Sequence, residues 1–140
     1  MIIMSVDLGK ARTGVAVSDV NEEFAFPKTV ITEYNTERLV DKLCDLAGQY
    51  NAELIVVGLP KNMDGSSGFR AKECEEIAKL ISQKSGKSVE MWDERCTTVS
   101  AHNYLNITDT RGKKRKQIVD AVSAVIILED FLKARKNRRY

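Results

Sequence analysis

Histidine is almost missing from this chain of 140 residues. His102 is the single one, and the three cysteines, Cys44, Cys74 and Cys96, are widely spaced, with no CxxC pair among them. Each cysteine reads as a reduced core thiol rather than a ligand or a redox partner. His102, on a predicted amphipathic helix, reads as structural or exposed. With so few nitrogen and sulfur donors, any metal site is built from oxygen ligands, which favours Mg²⁺ or Mn²⁺, one or two ions, over Zn²⁺. No apolar run approaches the ~20 residues of a membrane helix, and no basic segment followed by an apolar one opens the chain, so a cytoplasmic protein without membrane contact is expected. Repeats, linkers and a second composition are also lacking. A 43% hydrophobic and 30% charged content suits one domain over residues 1–140.

What is present is a lopsided charge. The net charge is only +2, yet residues 111–140 hold ten of the 22 Lys and Arg against Asp120, Glu129 and Asp130. Five basic side chains fall in six positions, at Arg111, Lys113, Lys114, Arg115 and Lys116. Such a contrast points to a polyanionic partner, because Lys and Arg neutralising phosphates supply the sequence-independent part of nucleic-acid binding. The plainer alternative is a solvated basic segment that aids solubility.

Hydrophobic periodicity places the elements. Residues 2–6 and 13–17 are short apolar runs around a turn containing Gly9 and Gly14, an antiparallel hairpin, and residues 28–32 form a third strand. Leu39, Leu43, Leu46, Ala47 and Tyr50 recur at helical spacing over residues 36–50, with Asn35 or Thr36 as N-cap. Residues 54–57 are apolar throughout, as in a buried parallel strand. The turn-forming stretch 58–68 then reads as a binding loop. A helix over 69–84, a strand over 88–92, a short helix over 97–105, a mobile basic loop over 106–116 and an apolar last helix over 117–134 complete the order, with a frayed basic tail at 135–140. Trp92 reads as core packing rather than a base-stacking platform. The result is an α/β protein with a mixed five-stranded sheet, its first three strands antiparallel and the rest parallel, flanked by helices. Ligands of such sheets gather beyond the carboxyl ends of the parallel strands.

Candidate chemistry comes from acidic residues at element ends. Asp7 follows the first apolar run, Glu94 ends a predicted strand beside Asp93, and Asp120 is the one early carboxylate of a helix that is apolar nearly all round. A carboxylate is costly to bury alone, so it is expected to meet a cation or a wet cleft. Asp93 and Asp64 remain open as further members or as turn chemistry. Carboxylates holding one or two divalent ions activate water and stabilise the leaving oxygen in attack on phosphodiesters.

Four segments, VDLGKARTGVAVSD at 6–19, VVGLPKNMDGSSG at 56–68, WDERCTT at 92–98 and DAVSAVIILEDFL at 120–132, run in order through the chain. Together they resemble the YqgF family, also called RuvX, itself similar to RuvC-type Holliday-junction resolvases of RNase H-like fold. The resemblance implies Asp7, Glu94 and Asp120 as catalytic, metal-binding carboxylates, and it is the resemblance that prefers Glu94 to Asp93. It further implies phosphate contact or site support by Arg12, Thr13 and Gly14, by Lys61, Asp64, Gly65 and Ser66, and by Arg95 and Thr98. Arg95 has an equally simple alternative, an ion pair with Glu94 or Asp93. Lys113, Lys114, Arg115 and Lys116 are expected to hold the nucleic-acid backbone. Ser123 departs from the family's usual alanine, a small-for-small exchange. The implied activity is a nuclease maturing the 5′ end of pre-16S ribosomal RNA, with structured RNA or ribosomal precursor particles as partners, acting as a monomer or weak homodimer. Cleavage of branched DNA is the second expectation, and a nucleic-acid-binding module without catalysis is the third. An actin-like kinase is disfavoured, since such enzymes close two domains around a nucleotide.

Overall fold

The computed structural model describes residues 1–9, 12–59, 69–93 and 112–138; of these, residues 59, 69–71, 93, 112–121 and 137–138 enter as backbone only. Strands β1 (Ile3–Leu8), β2 (Arg12–Ser18) and β3 (Ala25–Thr32) precede helix α1 (Thr36–Gln49). Then come β4 (Leu54–Leu59), α2 (Phe69–Ser85), β5 (Ser88–Asp93) and α3 (Gly112–Arg138). The five strands form one sheet in the order β3-β2-β1-β4-β5. β1 pairs antiparallel with β2 and β2 with β3, whereas β4 and β5 extend the sheet in parallel. The expected mixed sheet is therefore the observed one.

Strand alternation divides the core into two layers. Met4, Val6 and Leu8 of β1 face α1 and α2, where Leu39, Val40, Leu43, Ala47, Cys74 and Ile81 are buried. Ile3 of β1, Ala16 of β2, and Leu54 and Val56 of β4 face α3, where Ala124, Ile127, Leu128, Phe131 and Leu132 are buried. Ser123 is buried as well, so its small side chain is accommodated as expected.

Local chemistry explains the element ends. Asn35 caps α1, its side chain accepting the Arg38 amide at 3.0 Å. At the other end the Asn51 amide reaches the Gly48 carbonyl and the Ala52 amide the Ala47 carbonyl, with Asn51 left-handed at φ 58°. That is a Schellman ending with asparagine in the place usually taken by glycine. Gly86, at φ 69°, ends α2 in the same left-handed region.

Several boundaries differ from those read in the sequence. β1 runs on to Leu8, because the β1–β2 ladder continues through Asp7↔Gly14 and Leu8↔Thr13. Asp7 and Gly14 are thus ladder residues rather than strand-end and turn residues. β3 starts three residues before Lys28, since an edge strand tolerates Pro27, and a register shift opposite Val15/Ala16 absorbs the extra residue. α3 begins at Gly112, so Lys113, Lys114, Arg115 and Lys116 form its first turns instead of the end of a mobile loop. It also continues through residues 135–138, expected as part of a frayed tail. Lys and Arg are good helix formers, and neither proline nor glycine interrupts residues 113–138. The expected helix over 97–105 lies outside the described residues.

Candidate active site

Asp7 is half-buried on the sheet face covered by α3, as the alternation with Ile3 and Ser5 requires. Its antiparallel partner on β2 is Gly14. On β4, one step past the Val6↔Val57 pair, its neighbour is Gly58, which in turn pairs with Trp92 on β5. Both glycines are buried. Within the sheet, the neighbours of Asp7 on both adjoining strands therefore carry no side chain, and the row is closed at one end by Trp92. That indole packs edge-on against Phe131 of α3, with ring centroids 5.5 Å apart and planes at 89°, so the core role expected for Trp92 is the observed one. Gly9 makes the hairpin possible: its amide donates to the Arg12 carbonyl at 2.9 Å, and a Cβ there would lie 2.3 Å from that oxygen.

The course of α3 over this face follows from two contacts. Near the start of β1, Glu22 bonds both the Met1 amine at 3.2 Å and Arg135 Nε at 2.6 Å. Further along β1, the Ser5 hydroxyl donates to the Ala124 carbonyl at 2.6 Å. The helix thus runs antiparallel to β1. From Ser5 to Asp7 the strand advances roughly 6.7 Å. From position 124 back to position 120 the helix backbone retreats about 6 Å. Positions 7 and 120 are level with one another across the α3–sheet interface.

The remaining expected residues divide accordingly. Arg12 opens β2 on the same face as Asp7 and is half-buried there. Thr13 has the opposite parity and is 1% exposed, which places it under α1 and α2 rather than beside Asp7. The backbone of Lys113–Lys116 continues α3 beyond residue 120, past the carboxyl end of β1. β4 ends and α2 begins at that same end of the sheet. Glu94, Lys61, Asp64, Gly65, Ser66, Arg95 and Thr98 lie outside the described residues. Among the described residues, no group of three or more His, Cys, Asp or Glu forms a metal site, and Asp7 is the one member of the expected trio with a described side chain. Sequence reasoning passed over Ser5 and the part played by Gly58. Their signals were a hydroxyl inside an apolar strand at the parity of Asp7, and a glycine ending a buried strand.

Comparison with known proteins agrees with this architecture. Residues 1–134 match the family described as "RuvX: Holliday junction resolvase". A Clostridium botulinum (strain Eklund 17B / Type B) protein named "Putative pre-16S rRNA nuclease" is 42% identical over 132 residues, covering 94% of this chain and 96% of its own length. A Bacillus cereus (strain B4264) protein of the same name is 41% identical over 135 residues, covering 94% and 98%. The Thermus thermophilus RuvC structure superposes with a TM-score of 0.63 at 12% identity, covering 98% of this chain and 97% of that one, a likeness of fold. The fold is the RNase H-like one of RuvC, and the chain belongs to the RuvX family.

Proposed function

We propose that this protein is a metal-dependent nuclease that matures the 5′ end of pre-16S ribosomal RNA in the cytoplasm, with Asp7, Glu94 and Asp120 as its metal-binding carboxylates. One observation carries the chemistry: Asp7, flanked by Gly14 and Gly58, is level with position 120 at the carboxyl end of the parallel strands. Oxygen donors in the slot left between the two glycines suit Mg²⁺ or Mn²⁺, as one or two ions. Such ions supply Lewis-acid stabilisation of phosphodiester oxygens and an activated water. Asp7 and Asp120 hold the site from the sheet and the helix. Glu94 is preferred to Asp93 on the resemblance of residues 92–98 to the family's motif.

Arg12 is suited to a phosphate at the mouth of the slot, while Thr13, buried on the other face, serves as hairpin support rather than phosphate contact. Lys113, Lys114, Arg115 and Lys116 at the start of α3 suit a polyanion, because four cations at a helix N-terminus oppose its dipole until an anion arrives. Lys61, Asp64, Ser66, Arg95 and Thr98 keep their motif-based assignment to substrate contact. One domain acting as a monomer or weak homodimer suffices for cleavage of a single RNA strand. The RNA substrate itself is supported by the names of relatives that are 42% and 41% identical.

The family's description as a Holliday junction resolvase favours a second reading, cleavage of branched DNA. The purified protein, incubated with a pre-16S 5′ fragment and with a four-way DNA junction, with and without Mn²⁺, separates the readings. Mn²⁺-dependent cut RNA and an inert Asp7→Asn variant are expected. Cut junctions with intact RNA would establish the resolvase, binding without cleavage of either would establish a non-catalytic module, and equal cleavage by Asp7→Asn would refute the site.

A further inference from the structure

Ser5 is fully buried at 0% exposure, two residues before Asp7 on the same face of β1. Its hydroxyl donates to the carbonyl of Ala124 at 2.6 Å, one helical turn after Asp120. That carbonyl lies inside α3 and is already within reach of the helix's own ladder donor at position 128, so Ser5 is not needed to satisfy an orphaned acceptor. Its effect is directional. Elsewhere α3 meets the sheet through Ile3, Leu54 and Val56 against Ile127, Leu128 and Leu132, through Trp92 against Phe131, and, at the opposite end, through the Glu22–Arg135 pair; near Asp7 apolar contact alone would fix axial position poorly, because it has no preferred direction. Among the described side chains, the helix offers the small Ser123 and Ala124 beside Ser5, and these interdigitate little.

We propose that Ser5 is a positioning residue: its hydrogen bond to Ala124 sets the axial register of α3 on β1 and thereby the spacing of Asp7 and Asp120. The proposal rests on the reading that these two aspartates share a metal ion. It assigns to a hydroxyl outside the site the geometry within it, as groups beyond the ligands commonly set metal affinity by 10- to 100-fold.

The test is Mn²⁺ affinity by titration calorimetry, together with thermal melting, on the full chain. Four proteins are compared: wild type, Ser5→Ala, Asp7→Asn and Val40→Ala. Val40 is buried in the opposite core layer, so Val40→Ala reports what destabilisation alone does. Ser5→Ala is expected to weaken Mn²⁺ binding on the order of 10-fold, whereas Val40→Ala melts at least as early and keeps its Mn²⁺ affinity within about twofold of wild type. A Ser5→Ala protein that melts early but binds Mn²⁺ like wild type would reduce Ser5 to packing and overturn the proposal. Wild-type affinity in Asp7→Asn would instead remove the metal site on which it rests, a distinct outcome.

Discussion

Asp7 has glycine as its neighbour on both adjoining strands, and that is what makes it usable. Gly58→Val keeps a good strand former in β4 but sets an isopropyl group beside the carboxylate. It is expected to lower cleavage by ~10-fold or more while far-UV dichroism stays unchanged. With Glu94 as the ligand, Glu94→Gln is expected to abolish cleavage and Asp93→Asn to retain most of it in single-turnover assays. At the far end of the sheet, Asp19 accepts the Phe24 and Glu23 amides, each at 2.8 Å, and the Asn21 amide at 3.3 Å. The Phe24 amide foremost, with the others, holds its carboxyl below the ordinary 3.8. A folded pKa below the unfolded one contributes stability that is complete above the unfolded value and lost as pH falls through the folded one. Amide exchange at Glu23 and Phe24 is therefore expected to accelerate as pH drops below 3.8, and in Asp19→Ala to be fast on both sides of that value once corrected for the intrinsic pH dependence of exchange. Asp7 and Asp120 were legible as site candidates from the sequence because an acidic residue among apolar neighbours needs a reason. Ser5 was not, since a lone serine inside a strand is ordinary until its acceptor is known.

Elements with strong local signals were legible and those set by pairing were not. α1 matches its periodicity and its Asn35 cap, apart from Val40, an extra buried residue, while its Asn51 ending was not read. Asn51→Ala, forcing a Cβ-bearing residue without a helpful amide into φ 58°, is expected to cost about 1 kcal/mol relative to Asn51→Gly in urea denaturation. The end of β1 escaped notice because it depends on the ladder to β2, a long-range fact with no local mark. The start of α3 escaped because a run of like charges reads equally as loop or helix; its backbone shows helix from Gly112. Neutralising Lys113, Lys114, Arg115 and Lys116 together is expected to weaken RNA binding similarly across sequences and to flatten its salt dependence. Each lost phosphate contact removes roughly 0.7 from the log–log slope on single strands. An unchanged slope would return these residues to solvent.

At the scale of the whole molecule, two core layers lie on opposite sides of one sheet and carry different burdens. Among the described residues, the α1/α2 layer holds the greater part of the buried aliphatic side chains, whereas the α3 layer is a single helix that brings position 120 level with Asp7. The mixed sheet was readable from the order of strands and helices, because a hairpin start followed by βαβ units leaves few arrangements. Which face α3 covers was not, since a helix apolar nearly all round gives no preferred side. Family membership and the RuvC-like fold now stand on residues 1–134 and a TM-score of 0.63. The central proposal, an oxygen-only metal site shared by sheet and helix, is tested most directly by an anomalous difference map from crystals soaked in Mn²⁺. A manganese peak about 2.0–2.3 Å from carboxylate oxygens of Asp7 and Asp120, with Glu94 as a further ligand, is the expected result. Manganese bound only elsewhere would contradict it.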